Sequence, residues 1–230
     1  LGNLSMWDEI AEAMSINHTV IRLDFPGFGK SEDLENSKAM KLFARITNEL
    51  LCTLNKPEFT LIGHSMGAYI GLELACICQS KINHFILLHS TAKEDSEAKK
   101  TARIRAIEAA KERKNVYLRA AVPLLVPKQF QNACQLPIKK MMHDSEALSS
   151  NGILQALIGM QKRETHTKTV QNLKCKVTYI SGKFDPILSN DALKEEAYKN
   201  GADFIEIENA GHMSHWENPE ELKAQLLKLV

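Results

Sequence analysis

The sequence lacks any apolar run close to the ~20 residues that a membrane-spanning helix needs. It contains no glycine-rich phosphate loop, no His-Glu-x-x-His helix and no EF-hand pattern. No internal repeat or low-complexity tract is present. From these absences we expect no cofactor, no metal, no membrane partner and no nucleic acid, which leaves chemistry carried by ordinary side chains.

Cysteine occurs in an odd number, without the spacing of a disulfide framework or a zinc site. The five positions are Cys52, Cys76, Cys78, Cys134 and Cys175. Cys76 and Cys78 lie two apart on a predicted helix and so point to different faces. Free cysteines of this kind behave as small buried hydrophobic residues in a reducing compartment. The sequence therefore predicts a cytoplasmic location.

With 230 residues, of which 44% are hydrophobic, the chain can bury one large core. Helical and strand patterns alternate along most of it, which predicts an α/β fold with a mostly parallel central sheet covered by helices on both faces. The predicted strands are Val20 to Leu23, Phe59 to Ile62, Phe85 to Leu88, Val177 to Ser181 and Phe204 to Ile207. Predicted helices cover Ser5 to Met14 with a Ser5–Asp8 capping box, Ser37 to about Leu54 with Ser37 as cap, Met66 to about Gln79, and a segment opened by Asn218 and Pro219.

The alternation stops between residues 92 and 172, where helical stretches are broken at Pro123, Pro127 and Pro137. We therefore expect an all-helical insert at 92–172 in a core formed by 1–91 and 173–230. The insert has 15 Lys and Arg against 8 Asp and Glu, a net charge of +7, and the rest of the chain has −6. Two interpretations are open: a solvated helix surface, or attraction of an anionic acyl substrate such as a coenzyme-A thioester or an acyl group on an acidic carrier protein.

The motif with the most chemical content is Gly63-His64-Ser65-Met66-Gly67, which follows an apolar strand and precedes a helical pattern. A serine on a sharp turn between a strand and a helix is exposed above the sheet edge, next to the first N–H groups of the helix. We expect glycine at both Gly63 and Gly67 because a Cβ there would collide with the neighbouring strand or helix. The pattern marks Ser65 as a candidate nucleophile.

A serine is a weak nucleophile unless a base accepts its proton, so partners are needed. Asp185 follows the strand at Val177 and the break at Gly182. His212 lies in a loop between the last predicted strand and the helix that Asn218 caps. His215, three residues later, is the alternative base.

Taken together, these motifs resemble the α/β-hydrolase superfamily, in particular its small carboxylesterase-like branch with a helical cap. The matching segments are Asp24 to Ser31, Gly63 to Gly67, Gly182 to Asp185, and Gly211-His212 with Glu217 to Glu220. The resemblance implies Ser65 as nucleophile, His212 as base and Asp185 as acid, with the N–H of Met66 as one oxyanion donor.

The chain departs from that family at its start. It opens Leu1-Gly2-Asn3 without an initiator methionine and without the His-Gly dipeptide that precedes such a run in the family. We therefore expect Leu1 to be internal to a longer parent chain, with the second oxyanion donor at Leu1 or just ahead of it.

The remaining polar candidates receive supporting roles. His64 is expected to support the serine turn, Asp24 to fix its own loop through hydrogen bonds, and Asp191 to lie in the first turn of a helix after Ser189. The other histidines are interpreted as surface or packing residues: His18, His84, His89, His143 and His166.

The leading hypothesis is a serine hydrolase that cleaves a carboxylic ester or thioester of a small molecule through an acyl-enzyme. A second is a thioesterase, or a hydrolase or lyase for acyl groups on a carrier protein or coenzyme A. The third is a non-catalytic ligand-binding protein of the same fold, which the presence of all three candidate side chains disfavours. The sequence gives no prediction of oligomeric state.

Overall fold

Four parallel strands form the central sheet of the computed structural model, which describes residues 1–34, 39–56 and 58–230. They are β1 (Phe59–His64), β2 (Ile82–Leu88), β3 (Lys176–Gly182) and β4 (Asp203–Ile207), paired in that order. Each neighbouring pair is parallel, so all four carboxyl ends meet at one edge of the sheet. The predicted fold class is confirmed.

Eleven α-helices accompany the sheet within the described ranges. They are α1 (Asp8–Ser15), α2 (Ala39–Thr53), α3 (Met66–Cys78), α4 (Glu97–Ala121), α5 (Lys128–Gln131), α6 (Gln135–Glu146), α7 (Ser150–Gln161), α8 (Thr167–Asn172), α9 (Asn190–Lys199), α10 (Ser214–Glu217) and α11 (Pro219–Leu229). Short 3₁₀ helices cover Leu4–Trp7, Gln79–Lys81 and Pro123–Leu125. None of the helices in these ranges combines the length and the hydropathy that crossing a membrane requires.

The N-termini of the helices show which of the predicted capping residues are used. Asn218 accepts from the Glu221 N–H and Pro219 takes the first position of α11, as predicted. The prediction of a Ser5–Asp8 capping box is wrong, because a 3₁₀ helix precedes α1. The side chain of Asn3 caps that 3₁₀ helix and accepts from the Ser5 N–H. The predicted cap Ser37 lies outside the described residues.

The two faces of the sheet carry separate apolar layers. Phe85, Leu87 and Tyr179 pack on one face against residues of α3 and α9. Their sequence neighbours Ile86, Leu88 and Ile180 point to the other face, against α1 and α11. Because successive side chains of a strand alternate between faces, a strand buried on both sides reads as a continuous apolar run. This explains why Phe85 to Leu88 is apolar at every position.

The predicted strand at Val20 to Leu23 is wrong, since this segment has no strand conformation. A strand requires a hydrogen-bonded neighbour, and within the described residues this segment pairs with no strand; it lines a cavity of about 820 Å³ instead. Val20 and Leu23 line this cavity, and so do Thr60 and Ile62 of β1. Within the described ranges β1 is therefore an edge strand that faces this cavity.

The segment from 92 to 172, described throughout, contains α4 to α8 and one 3₁₀ helix and has no strand. Its α4 packs along α7, and α7 also contacts α2 beside the sheet. The assignment of this segment as an inserted cap stays a prediction.

The cysteines are free, as expected, but they do not share one environment. Cys78 and Cys134 are buried, whereas Cys52 and Cys76 are exposed. The description of all five as buried hydrophobic residues is thus wrong for the exposed pair, because exposed positions on α2 and α3 tolerate a small side chain without a packing role.

Candidate active site

Ser65 is held in a conformation that L-residues rarely adopt, at the junction of β1 and α3. Its φ is +51° and its ψ is −115°. Its N–H donates to the Leu88 carbonyl at 2.9 Å, and its own carbonyl accepts from Ser90 Oγ at 3.0 Å. Such backbone strain costs of order 1–3 kcal/mol and persists only where surrounding contacts enforce it. Those two hydrogen bonds to the neighbouring chain fix the turn.

The two glycines of this turn have different reasons for being there. A Cβ on Gly63 would lie 2.5 Å from the Ala68 Cα, so the strand and α3 approach too closely for any side chain. A Cβ on Gly67 would meet nothing within 4 Å. The expectation of a collision at Gly67 is therefore wrong, since this position at the start of α3 faces open space.

Ser65, His212 and Asp185 form a continuous chain of hydrogen bonds. His212 Nε2 lies 3.0 Å from Ser65 Oγ, and His212 Nδ1 lies 2.8 Å from Asp185 Oδ2. An anionic carboxylate accepts a hydrogen bond from Nδ1–H, so in the neutral ring Nε2 is unprotonated and can accept a hydrogen bond from the serine hydroxyl. The fold thus brings together three side chains that come from the ends of β1, β3 and β4.

Asp185 is kept as an anion by its surroundings. Its side chain is fully buried, which alone would raise the pKa of the carboxyl group, but the charge and hydrogen bond of His212 outweigh burial and hold the pKa well below its usual range. The N–H groups of Ile187 and Leu188 donate to Oδ1 at 2.8 and 3.0 Å, which fixes the carboxylate plane. At neutral pH this side chain is an acceptor aimed at His212.

His89 is a member of this cluster that the sequence interpretation missed. Its Nδ1 accepts from the Gly182 N–H at 3.2 Å, so its proton is on Nε2, which contacts Ser214 Oγ at 2.6 Å. The ring is fully buried, and burial lowers its pKa. Nδ1 also lies 3.4 Å from Asp185 Oδ2. The position just after β2, at the same sheet edge as Ser65 and Asp185, is the signal that could have identified it.

Two further histidines lie behind His212. His64 donates from Nε2 to the His212 carbonyl at 2.8 Å, so it supports the histidine loop more directly than the serine turn. His215 stacks on Trp7, with ring centroids 5.9 Å apart. Neither of its ring nitrogens has a hydrogen-bond partner within the described residues, and burial lowers its pKa to about 3. His215 therefore contacts neither Ser65 nor Asp185, and of the two candidate bases only His212 reaches the serine.

Glu217 of α10 braces the loop that carries His212. Its Oε2 accepts from the N–H groups of Gly211 and Met213, at 2.5 and 3.2 Å, on either side of the histidine. Burial raises the pKa of this carboxyl group to about 7. In the sequence, Glu217 belongs to one of the segments that resemble the family, but its contact with the histidine loop was not predicted.

The two other aspartates considered in the sequence, Asp24 and Asp191, have the supporting roles predicted for them. Asp24 accepts from the Leu4 N–H at 2.7 Å and the Lys30 N–H at 3.1 Å, which fixes its loop. Asp191 lies in the first turn of α9, whose cap Ser189 accepts from the Ala192 N–H.

Ser65, Met66 and His212 line the 820 Å³ cavity. Arg103, Tyr117 and Leu157 of the helical segment line it as well. Met66 is the first residue of α3, and the first N–H groups of a helix have no carbonyl partner within the helix. The Met66 N–H is thus a free donor candidate next to Ser65, where a polarised oxygen can bind.

His89, Asp185 and His212 also have donor atoms within 4.8 Å of one another, close enough to share a cation. Each of these atoms already has a hydrogen-bond partner, since His89 Nδ1 accepts from Gly182 and the other two bind each other. A cation would have to displace the His212–Asp185 pair.

Comparison with known proteins gives a consistent result. A family model described as the alpha/beta hydrolase fold matches residues 1–219. Among solved structures, a thermophilic esterase from Thermogutta terrifontis with bound malate superposes with a TM-score of 0.91 at 24% identity, over 99% of this chain and 85% of that chain. An enol-lactonase from Burkholderia xenovorans gives a TM-score of 0.89 at 20% identity, over 99% and 86%.

A curated relative, a putative carbamate hydrolase (RutD) from Azorhizobium caulinodans, is 23% identical over 56% of this chain. The matching region spans only about half, 49%, of the length of that relative. The parallel sheet, the strained serine turn at its edge and a family match over nearly the full length lead to one conclusion: the chain belongs to the alpha/beta hydrolase fold family.

Proposed function

We propose that the protein is a serine hydrolase that cleaves a carboxylic ester or thioester of a small molecule through an acyl-enzyme. The observation that carries the proposal is the hydrogen-bonded chain from Ser65 Oγ to His212 at 3.0 Å and on to Asp185 at 2.8 Å. This arrangement of nucleophile, base and orienting carboxylate is the one that activates a serine for acyl transfer.

In the proposed reaction, His212 Nε2 accepts the Ser65 proton as Oγ attacks the acyl carbonyl. Asp185 holds the imidazole in the tautomer with its proton on Nδ1 and stabilises the imidazolium that forms. His212 then gives the proton to the leaving alcohol or thiol. Water, deprotonated by the same nitrogen, releases the acid from the acyl-enzyme. The low pKa of the Asp185 carboxyl group keeps it charged throughout.

The tetrahedral intermediate needs donors for its negative oxygen. The Met66 N–H is the proposed first donor because it follows the nucleophile at the start of α3. We assign the second to the backbone next to Leu1, which lines the same cavity as Ser65. The helical segment 92–172 is proposed as the cap, since several of its residues line the same cavity as Ser65 and Met66.

The three relatives are an esterase, an enol-lactonase and a putative carbamate hydrolase. Esters, lactones and carbamates all carry an acyl carbon that a serine nucleophile attacks, so the three names fit one mechanism. The three substrate classes differ in their leaving group, so the relatives do not identify the leaving group of this protein's substrate.

The test is hydrolysis of p-nitrophenyl esters from acetyl to dodecanoyl by the wild type and by Ser65→Ala. We expect turnover that depends on chain length and disappears in Ser65→Ala. Ser15→Ala, at an exposed serine at the end of α1, is the matched control and should keep full activity. Equal rates for Ser65→Ala and the wild type would refute the proposed nucleophile.

A further inference from the structure

A buried ionic cluster connects the loop between β2 and α4 to α4 and to the chain just after α7. Asp95, whose side chain is 1% exposed, pairs through one oxygen with Arg103 Nε of α4 and through the other with Arg163 Nη2 at 2.7 Å. Burial by itself would raise the pKa of the Asp95 carboxyl group, but the two arginines outweigh it and lower that pKa. Asp95 is therefore an anion, and one negative charge faces two positive ones.

The second arginine, Arg163, is buried among residues of the fold. The Arg163 side chain is 5% exposed, and its guanidinium lies over the ring of Tyr69, 4.1 Å from the centroid. Its Nη1 donates to the Met160 carbonyl at 3.0 Å. Tyr69 comes one helical turn after Ser65 on α3, so the cluster lies close behind the start of that helix.

Arg103 differs from Arg163 because it reaches the cavity. It lines the 820 Å³ cavity together with Ser65, Met66 and Tyr117. Its Nε binds Asp95, whereas its Nη1 meets the thioether sulfur of Met160 at 3.5 Å, a weak acceptor. The guanidinium is thus anchored on one side and has N–H groups free for a stronger acceptor on the other.

Three features then coincide in Arg103: it is permanently charged, it is oriented in advance by Asp95, and it lines the cavity that contains the nucleophile. The cluster has a net charge of +1, because Asp95 can neutralise only one of its two arginines. A planar guanidinium with free N–H groups binds carboxylates in preference to neutral oxygens. An uncharged acyl chain would leave this charge without a partner.

We propose that Arg103 is a specificity-determining residue that binds a carboxylate at the far end of the acyl chain, so that the substrates are half-esters of dicarboxylic acids. This inference rests on the proposed hydrolase function and adds the substrate class. The alternative role for the cluster is a purely structural one, in which Arg103 only ties α4 to the loop after β2.

The test compares the hydrolysis rates of three half-esters with those of neutral esters of equal acyl length. The half-esters are ethyl hydrogen succinate, glutarate and adipate, and the neutral esters are ethyl butanoate, pentanoate and hexanoate. A pH-stat measures each rate from the acid released. Wild type should have the higher kcat/KM on a half-ester than on the neutral ester of equal length, for at least one length. Arg103→Gln, which keeps an N–H donor toward Asp95, should lower kcat/KM for the half-ester by about 10- to 100-fold and change the neutral ester by less than about threefold.

Arg119→Gln is the matched control, because Arg119 lies on the same helix and pairs with Glu146 at 2.7 Å but is 64% exposed. It should leave the preference unchanged, and Arg103→Lys, which keeps the charge, should restore part of it. An equal loss on both ester classes in Arg103→Gln, or a wild-type preference for neutral esters, would overturn the proposal and support the structural role.

Binding to Ser65→Ala gives a readout that needs neither turnover nor a change at Arg103. In calorimetric titrations, adipate should bind at least about tenfold more tightly than hexanoate, since only adipate has the second carboxylate. Equal affinities would refute the carboxylate subsite. Hydrolysis without a half-ester preference would refute the carboxylate subsite but support the hydrolase function. Tight adipate binding with no hydrolysis of any ester would support the subsite but refute the hydrolase function.

Discussion

Two residues at the carboxyl edge of the sheet have positive φ although neither is glycine. Ser65 follows β1 with φ +51°, and His89 follows β2 with φ +48°. Each donates its N–H to a carbonyl of the next strand, Ser65 to Leu88 at 2.9 Å and His89 to Ile180 at 2.8 Å. The left-handed conformation turns both side chains back over the sheet edge, where they meet Asp185 and His212. The strained backbone conformation at these two residues therefore places their side chains in the candidate site.

At the same scale, Asp185→Asn tests the role of the buried carboxylate. The amide removes the negative charge and no longer fixes the proton on Nδ1 of His212, so we expect kcat to fall by about 10³–10⁴ with little change in KM. Steady-state kinetics on the best p-nitrophenyl ester measures this. Asp191→Asn, on the exposed first turn of α9, should keep full activity. A fall in kcat of less than tenfold would contradict the role assigned to Asp185.

At the scale of elements, the turn between β1 and α3 predicts opposite outcomes for its two glycines. Gly63→Ala places a Cβ 2.5 Å from the Ala68 Cα, so the strand and helix must separate, and we expect a loss of about 1–3 kcal/mol in the free energy of unfolding. Gly67→Ala adds a Cβ in open space, and it should be neutral or stabilise by up to about 1 kcal/mol. Urea denaturation of both variants measures the difference, and equal destabilisation would contradict it.

The loop around His212 gives a pH dependence through Glu217. Burial raises the pKa of Glu217 to about 7 in the folded protein, above its ordinary value of 4.5. Between these values the folded state holds more protons than the unfolded state, so stability falls as pH rises from 4.5 to 7. Allowing for partial solvent exposure, we expect this group to contribute about 2 kcal/mol to that loss.

Glu217→Gln should remove this contribution, because glutamine still accepts from Gly211 and Met213 but does not ionise. Denaturant unfolding at pH 5 and pH 7.5 should show the variant gaining stability relative to the wild type at the higher pH. Glu220→Gln, at an exposed position in the first turn of α11, is the control and should parallel the wild type. Parallel slopes for Glu217→Gln and the wild type would show that Glu217 does not titrate in this range.

At the scale of the whole molecule, Asp95 ties the loop between β2 and α4 to α4 itself and to the chain just after α7. It follows β2 and binds Arg103 of α4 and Arg163 after α7. Removing one member of a buried ionic group leaves uncompensated charge, so Asp95→Ala should lower the free energy of unfolding by about 3–5 kcal/mol. Glu195→Ala, which breaks an exposed pair with Lys199, should leave the urea midpoint unchanged. Similar midpoints for the two variants would contradict the role of the cluster.

The sequence by itself determined four of the strands and where the candidate site side chains lie after three of them. The strand at Phe85 could be predicted because burial on both faces requires a continuous apolar run. The strands at Phe59, Val177 and Phe204 could be predicted because β-branched and aromatic residues are enriched there. Ser65, Asp185 and His212 could be predicted because each follows such a strand at a glycine-marked turn. Parallel strands then bring those turns to one edge, which is why three residues far apart in the sequence meet within hydrogen-bond distance.

Only the tertiary structure decided what depends on contacts between distant segments. Val20 to Leu23 has the composition of a strand, but within the described residues it pairs with no strand and lines the cavity instead. His89 looks like any other histidine until the Gly182 N–H and Asp185 are found beside it, 93 residues or more along the chain. The pairing of Arg103 and Arg163 with Asp95 is likewise invisible in the charge pattern. Local patterns specify elements, whereas burial and ionic pairing arise only when those elements pack.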